Sequence, residues 1–120
     1  MKIKFDKLPW HDAILLDIKI NREKPGENDQ VIIVVSWGEN IKQSISFNDC
    51  FELDLKMNFG VIAEESILDA CVINKSLELT QIKNKWKNIG LDLKELKCFQ
   101  IETNSTNSLI KIYALDYMLS

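Results

Sequence analysis

The chain has 120 residues, 46% of them apolar, and carries 15 Lys and Arg against 18 Asp and Glu, a net charge of −3. That is enough for one domain spanning 1–120 with a real core, and its acidic balance weighs against direct nucleic-acid binding, which needs a basic track to neutralise phosphates. Four Gly and two Pro argue against a long linker or disorder, and the apolar runs Ile14–Leu16 and Ile32–Val35 are far too short to span a bilayer.

The first six residues lack an apolar stretch and a small-residue cleavage site, so they do not read as a secretory signal. With three widely spaced cysteines, Cys50, Cys71 and Cys98, no disulfide framework is implied, and a reducing cytoplasm with mostly buried thiols is expected. From Ala13 to Ile20, Ile14, Leu16, Ile18 and Ile20 alternate with Leu15, Asp17 and Lys19, the period of a half-buried strand. Asn21 to Asp29, with Pro25-Gly26 among charges, reads as an exposed hairpin loop. Gln30 to Trp37 is apolar on both faces, as in a central strand covered on both sides. Gly38-Glu39-Asn40 supplies a turn. Ile41 to Phe47 follows with Ile41, Ile45 and Phe47 inward, and then Cys50 to Phe59 with Phe51, Leu53, Leu55, Met57 and Phe59 on one face. These four strands form a meander.

Gly60 to Ile73 is ambiguous between helix and strand; β-branched Ile67, Val72 and Ile73 favour a strand over Ile67 to Ile73. Ser76 to Asn88 is the clearest helix, with Ser76 as N-cap, Leu79, Ile82, Trp86 and Ile89 at helical spacing, and Gly90 as the stop. A last hairpin runs from Leu96 to Thr103, through Asn104–Asn107, to Ser108–Met118. The expected fold is α+β: a curved, mostly antiparallel sheet of six to seven strands with one main helix packed on it.

Candidate chemistry is sparse. The one histidine, His11, stands beside Asp12, but neighbours on an extended chain point to opposite sides, so His11 is read as a structural polar residue leading into the first strand. A small enzyme built on His11 and Asp12 stays as a competing reading. No residue set has metal-ligand spacing, the loop at Glu27 to Asp29 lacks an EF-hand pattern, and no glycine-rich phosphate loop exists. No cofactor is expected. Lys97 beside Cys98 is the one arrangement that would activate a thiol; buried filler is the simpler reading. The triplets Asn104-Ser105-Thr106 and Asn74-Lys75-Ser76 are read as a turn and a helix cap.

Charge layout is the positive lead. From Asp49 to Asp69 six acidic residues (Asp49, Glu52, Asp54, Glu64, Glu65, Asp69) stand against Lys56, a distribution that would steer a basic partner. From Lys75 to Lys97 six lysines stand against Glu78, Asp92 and Glu95. Tyr113 and Tyr117 share a side with Leu109 and Leu115, as second core or as a binding anchor.

Three stretches, Leu8-Pro9-Trp10-His11-Asp12-Ala13, Met57-Asn58-Phe59-Gly60 and Phe99-x-Ile101-x-Thr103-Asn104-Ser105-Thr106-Asn107-Ser108, resemble segments of small bacterial proteins, some of which look like immunity partners of polymorphic or contact-dependent growth-inhibition toxins. The resemblance implies a small, cytoplasmic, non-enzymatic protein that neutralises a cognate toxin domain, for instance a basic nuclease, by covering or distorting its active site. It transfers no partner-contact residue. A module that self-assembles through a sheet edge or the Tyr113–Tyr117 side is the third reading, and monomer or homodimer is left open.

Overall fold

The longest element organises the rest. In the computed structural model, which describes residues 3–120, a single 15-residue strand runs over Lys42–Lys56. Met1 and Lys2, the head of the segment weighed as a secretory signal, lie outside the described residues. In chain order the elements are β1 (Ile14–Asn21), β2 (Gln30–Ser36), β3 (Lys42–Lys56), β4 (Ile67–Ile73), α1 (Leu77–Lys87), β5 (Lys97–Thr103) and β6 (Leu109–Leu119), with a short 3-10 turn at Phe5–Lys7. The six strands form one sheet in the order β1-β2-β3-β6-β5-β4, every pairing antiparallel. The α+β architecture is as expected, with six strands. None of the helices is long and apolar enough to cross a membrane, among the described residues.

β3 replaces the two strands expected on either side of Asn48-Asp49. That polar pair looks like a turn, but Asp49 takes φ +54° and the chain continues, with a register shift between Cys50 and Glu52 that lets one residue bulge out. The bulge also changes faces. Phe51 packs with α1, while Leu53 and Met57 pack with the main core, so they do not share one face; Phe59 is 85% exposed. A second bulge, between Leu15 and Asp17, shifts the phase of β1. Leu15 and Ile18 therefore turn inward, and Leu16 and Ile20, expected inside, are about half exposed. On β2, Val31, Ile33 and Val35 are buried, while Ile32 and Val34 are only partly covered, so one face is core and the other is not sealed. Ile41, expected inward, is exposed.

The sheet rolls up until diagonal corners meet. Ile14 pairs with Ser36, which pairs with Lys42 at the start of β3. Ile67 pairs with Thr103, beside the turn into Leu109, which pairs with Lys56 at the far end of β3. Yet Ile14 bridges Ser66. Asp12 N–H donates to Ile67 O at 3.0 Å, Ile67 N–H to Ala13 O at 2.7 Å, and Leu15 N–H to Glu65 O at 2.9 Å. Closing strands with so large a stagger requires a steep tilt, which these two bulges and a third on β4, between Ile67 and Asp69, supply. The Leu8–Ala13 motif is thus a structural stitch: Trp10 is buried with its indole N–H on Phe5 O, and Ala13 is fully enclosed.

Phe5 fills the interior, ringed by Trp10, Phe47, Phe99 and Tyr117, and Ile33, Ile45, Ile101, Ile110 and Ile112 pack around them. α1 makes a second, smaller core outside the roll with Leu79, Ile82, Leu93, Leu96, Cys98 and Tyr113, edged by Phe51 and Trp86. Ser76 caps it as expected, its Oγ accepting from Leu79 N–H at 3.1 Å, and Gly90 has φ +94° just beyond its end. Ile89, expected in the buried stripe, is exposed. Tyr113 and Tyr117 do not share a side: Tyr113 lies under α1 and Tyr117 in the main interior, its hydroxyl donating to Ile3 O.

Candidate functional site: an open edge, two clefts and an exposed apolar loop

β2 ends its pairing with β3 at Gln30 opposite Asn48, and the last bond on that side is Cys50 N–H to Asp29 O. β6 accompanies β3 on its other side as far as Lys56. Phe51–Lys56 therefore has a strand on one side only, and the position that β2 would occupy is vacant among the described residues. A cleft of about 710 Å³ opens there, between the β1–β2 loop, the bulge at Asp49–Leu53 and the end of α1. Its apolar walls include Ile20, Phe51, Leu53, Trp86 and Leu91; its charges are Glu27, Asp29, Asp49 and Glu52 against Arg22.

A second cleft, of about 430 Å³, lies where β1 passes the segment leaving β3, between Leu15–Ile18 and Met57–Ala63. Above it Phe59, Val61 and Ile62 project, 85, 52 and 104% exposed. Three large apolar side chains held in water side by side are unusual for a surface that meets only solvent. The alternation of Cys50 to Phe59 places Phe59 in the core; the signal against it is Gly60 (φ +95°) within an apolar run that fits neither strand nor helix period.

The base of this loop is held rigidly. Asn58 N–H donates to Ser108 Oγ at 2.8 Å, and its Nδ2 donates to Thr106 O and Asn107 O, both at 3.0 Å. The Glu65 carboxylate accepts from Thr106 N–H at 3.2 Å and from Thr106 Oγ1 at 2.6 Å. Ser66 N–H donates to Ser105 Oγ, Asn104 N–H to Ser66 O, and Ser108 N–H to Thr103 Oγ1. Thr103 and Ser108 are the two buried polar residues, and no buried side-chain nitrogen or oxygen lacks a partner among the described residues. The second and third motif stretches thus join in one network, and the first is stitched to the same strap through Ile67. We expect Asn58→Ala to lower the unfolding free energy by about 1–3 kcal/mol, since the two Nδ2 bonds are lost while the backbone N–H keeps its bond to Ser108, measured as a shifted urea midpoint with unchanged slope.

The six acidic residues do not form one patch. Asp49 and Glu52 border the larger cleft. Asp54 pairs across with Lys111, next to Lys56, on the outer face of β3. Asp69 is opposite Glu102 on β4. Glu64 and Glu65 sit in the strap, with Glu65 engaged by Thr106. The structure brings Asp49, Glu52 and Asp54 along the open edge and leaves Asp69, Glu64 and Glu65 elsewhere.

His11 and Asp12 sit closer than an extended chain would allow, because Asp12 has φ +65°, and their side chains approach to 3.7 Å. Both are about three-quarters exposed, His11 Nδ1 is 3.3 Å from Leu68 O, and neither residue lines either of these two clefts. Lys97 directs its Nζ to Glu95 O and Leu115 O, and Cys98 is buried beneath α1 beside Tyr113. Burial holds the Cys98 thiol up at about 11, and the Tyr113 hydroxyl and Lys111 offset this only partly. Cys50 is likewise pushed up to about 11, by burial first.

No protein-family model matches this sequence, and no curated protein is significantly similar to it.

Proposed function

We propose that this protein acts by recognition, as an immunity protein that binds and neutralises a cognate bacterial toxin domain in the cytoplasm of the cell that makes the toxin. The carrying observation is the apolar loop Phe59–Ile62, exposed to water yet anchored by the Asn58 and Glu65 bonds. A preformed apolar projection loses little conformational freedom on binding, which is how a few anchor residues come to dominate an interface. Acidic residues along the neighbouring edge suit a basic partner such as a nuclease and would speed its encounter. The resemblance of three stretches to immunity proteins supports the same reading, and those stretches are the ones that build the strap beneath the loop.

The test is protection. Where a toxin domain is encoded next to this gene, co-expression with it should restore growth, and the doubly substituted Phe59→Ser, Ile62→Ser protein should lose at least 100-fold in affinity while melting within a few degrees of the parent. Growth arrest despite abundant parent protein would overturn the reading. So would full protection by the double variant, for the loop.

A further inference from the structure

We propose that the open edge of β3, Phe51–Lys56, receives an extended segment of a partner protein as a seventh strand, one with apolar side chains turned inward and Lys or Arg turned outward. This rests on the recognition reading above and names how the partner is held.

Along this edge β3 has lost β2 but keeps its ladder to β6 from Glu52 to Lys56 on its other side. The backbone is therefore already extended and fixed, and an added strand finds a template rather than a loop to be ordered. Room is present in the plane of the sheet: the larger cleft is walled both by Leu53, which packs with the main interior, and by Phe51, which packs under α1. A gap that exposes residues from both faces of a strand lies at its edge.

Alternation dictates the occupant. Leu53 lines the gap with half-exposed Ile20 across from it, and Leu55, 38% exposed, follows two residues on, on the same face by alternation, so every second residue of the incoming strand meets apolar surface. The outward ones are Glu52 and Asp54, with Asp49, Asp29 and Glu27 bordering the cleft and Arg22 and Lys56 as the opposing charges. Opposite charges directly across a ladder stabilise it and like charges oppose it. The same rule disfavours a second copy: a two-fold pairing centred on Leu53 sets Glu52 against Asp54 of the copy. β3 leads from this edge through Met57 and Asn58 directly into Phe59–Ile62, so the edge and the loop are neighbours along the chain.

The experiment uses the whole chain, labelled with 15N, and two seven-residue probe peptides of alternating sequence, Lys-Val-Lys-Val-Lys-Val-Lys and its counterpart with Glu for Lys. The Lys peptide should shift and protect alternate amides within Phe51–Lys56, and the Glu peptide should bind at least tenfold more weakly. E52K/D54K, checked for an unchanged melting temperature and spectrum elsewhere, should reverse that preference. The proposal is overturned if the Lys peptide does not bind at millimolar concentration, if the shifted amides lie elsewhere, if E52K/D54K leaves the preference as it was, or if light scattering shows the edge closed by a dimer. These outcomes are separate from the growth test: a chain that protects cells while its β3 edge stays unaltered keeps the immunity reading and loses this one.

Discussion

Phe5→Ala is expected to cost about 3–5 kcal/mol, the range for removing a buried aromatic side chain. Phe5 is 1% exposed, and its ring centre lies 4.8 Å from Trp10, 5.1 Å from Phe99, 5.4 Å from Tyr117 and 5.9 Å from Phe47. Edge-on and tilted contacts of this kind add to the burial term. The hole cannot collapse easily, since the sheet around it is held by its own ladder and by the seam to Ser66. Against a total stability of about 5–15 kcal/mol for a domain of this kind, the loss is a large share. Thermal unfolding followed by tryptophan fluorescence should fall by roughly 10–20 °C, with Phe5→Leu recovering around half. A shift below a few degrees would show that the short turn at Phe5–Lys7 is an accessory and not the plug of the roll.

Thiol reactivity offers the second large effect. Burial lifts Cys50 and Cys98 from an ordinary 9.0 to about 11, while Cys71, nearer the surface, is raised by its own burial and by Asp69, Glu102 and Asp6. Only the thiolate attacks an alkylating agent. A thiol that holds its proton to about 11 instead of 9 therefore keeps only about one-hundredth of the usual reactive fraction at about pH 8. Iodoacetamide and mass spectrometry should find Cys71 labelled first, and Cys50 and Cys98 labelled about 100-fold more slowly than in urea. The sign for stability follows from the same change. An unfolded thiol gives up its proton near 9 and the folded one holds it to about 11, so the fold's advantage is intact below 9 and is lost as pH rises toward 11. Rapid labelling of Cys98 at about pH 8 without denaturant would show that α1 lifts from the sheet.

Local signals carry well from residues to structure. Ser76 and Gly90 bracket α1, the β5–β6 hairpin turns at Asn104–Asn107, and Ile67–Ile73 is a strand as its β-branched residues suggest. Expectation and structure part where a bulge changes phase. Leu16, the Cys50–Glu52 irregularity and the positive φ of Asp49 each reverse which side chains face inward. A period-two reading has no means of seeing one inserted residue. The paired-tyrosine reading fails for the same reason, because β6 must follow the irregular stretch of β3. The candidate site is less visible still. Charge alone picks out Glu52 and Asp54, but that they flank a vacant strand position depends on where β2 stops, a fact of pairing between distant segments. The anchoring role of Asn58 depends on Thr106–Ser108, some fifty positions away.

The sheet order also dictates when the molecule can come into being. β6, the last of the six strands to be synthesised, is the one that joins β1-β2-β3 to β5-β4. Until it is in place, β1-β2-β3 and β5-β4 meet only at the short seam between Asp12–Leu15 and Glu65–Ile67, and each leaves apolar side chains uncovered. Such high contact order makes for slow, late folding with aggregation as its competitor. The exposed loop and the open edge of β3 therefore become usable features only once β6 has taken its place in the sheet.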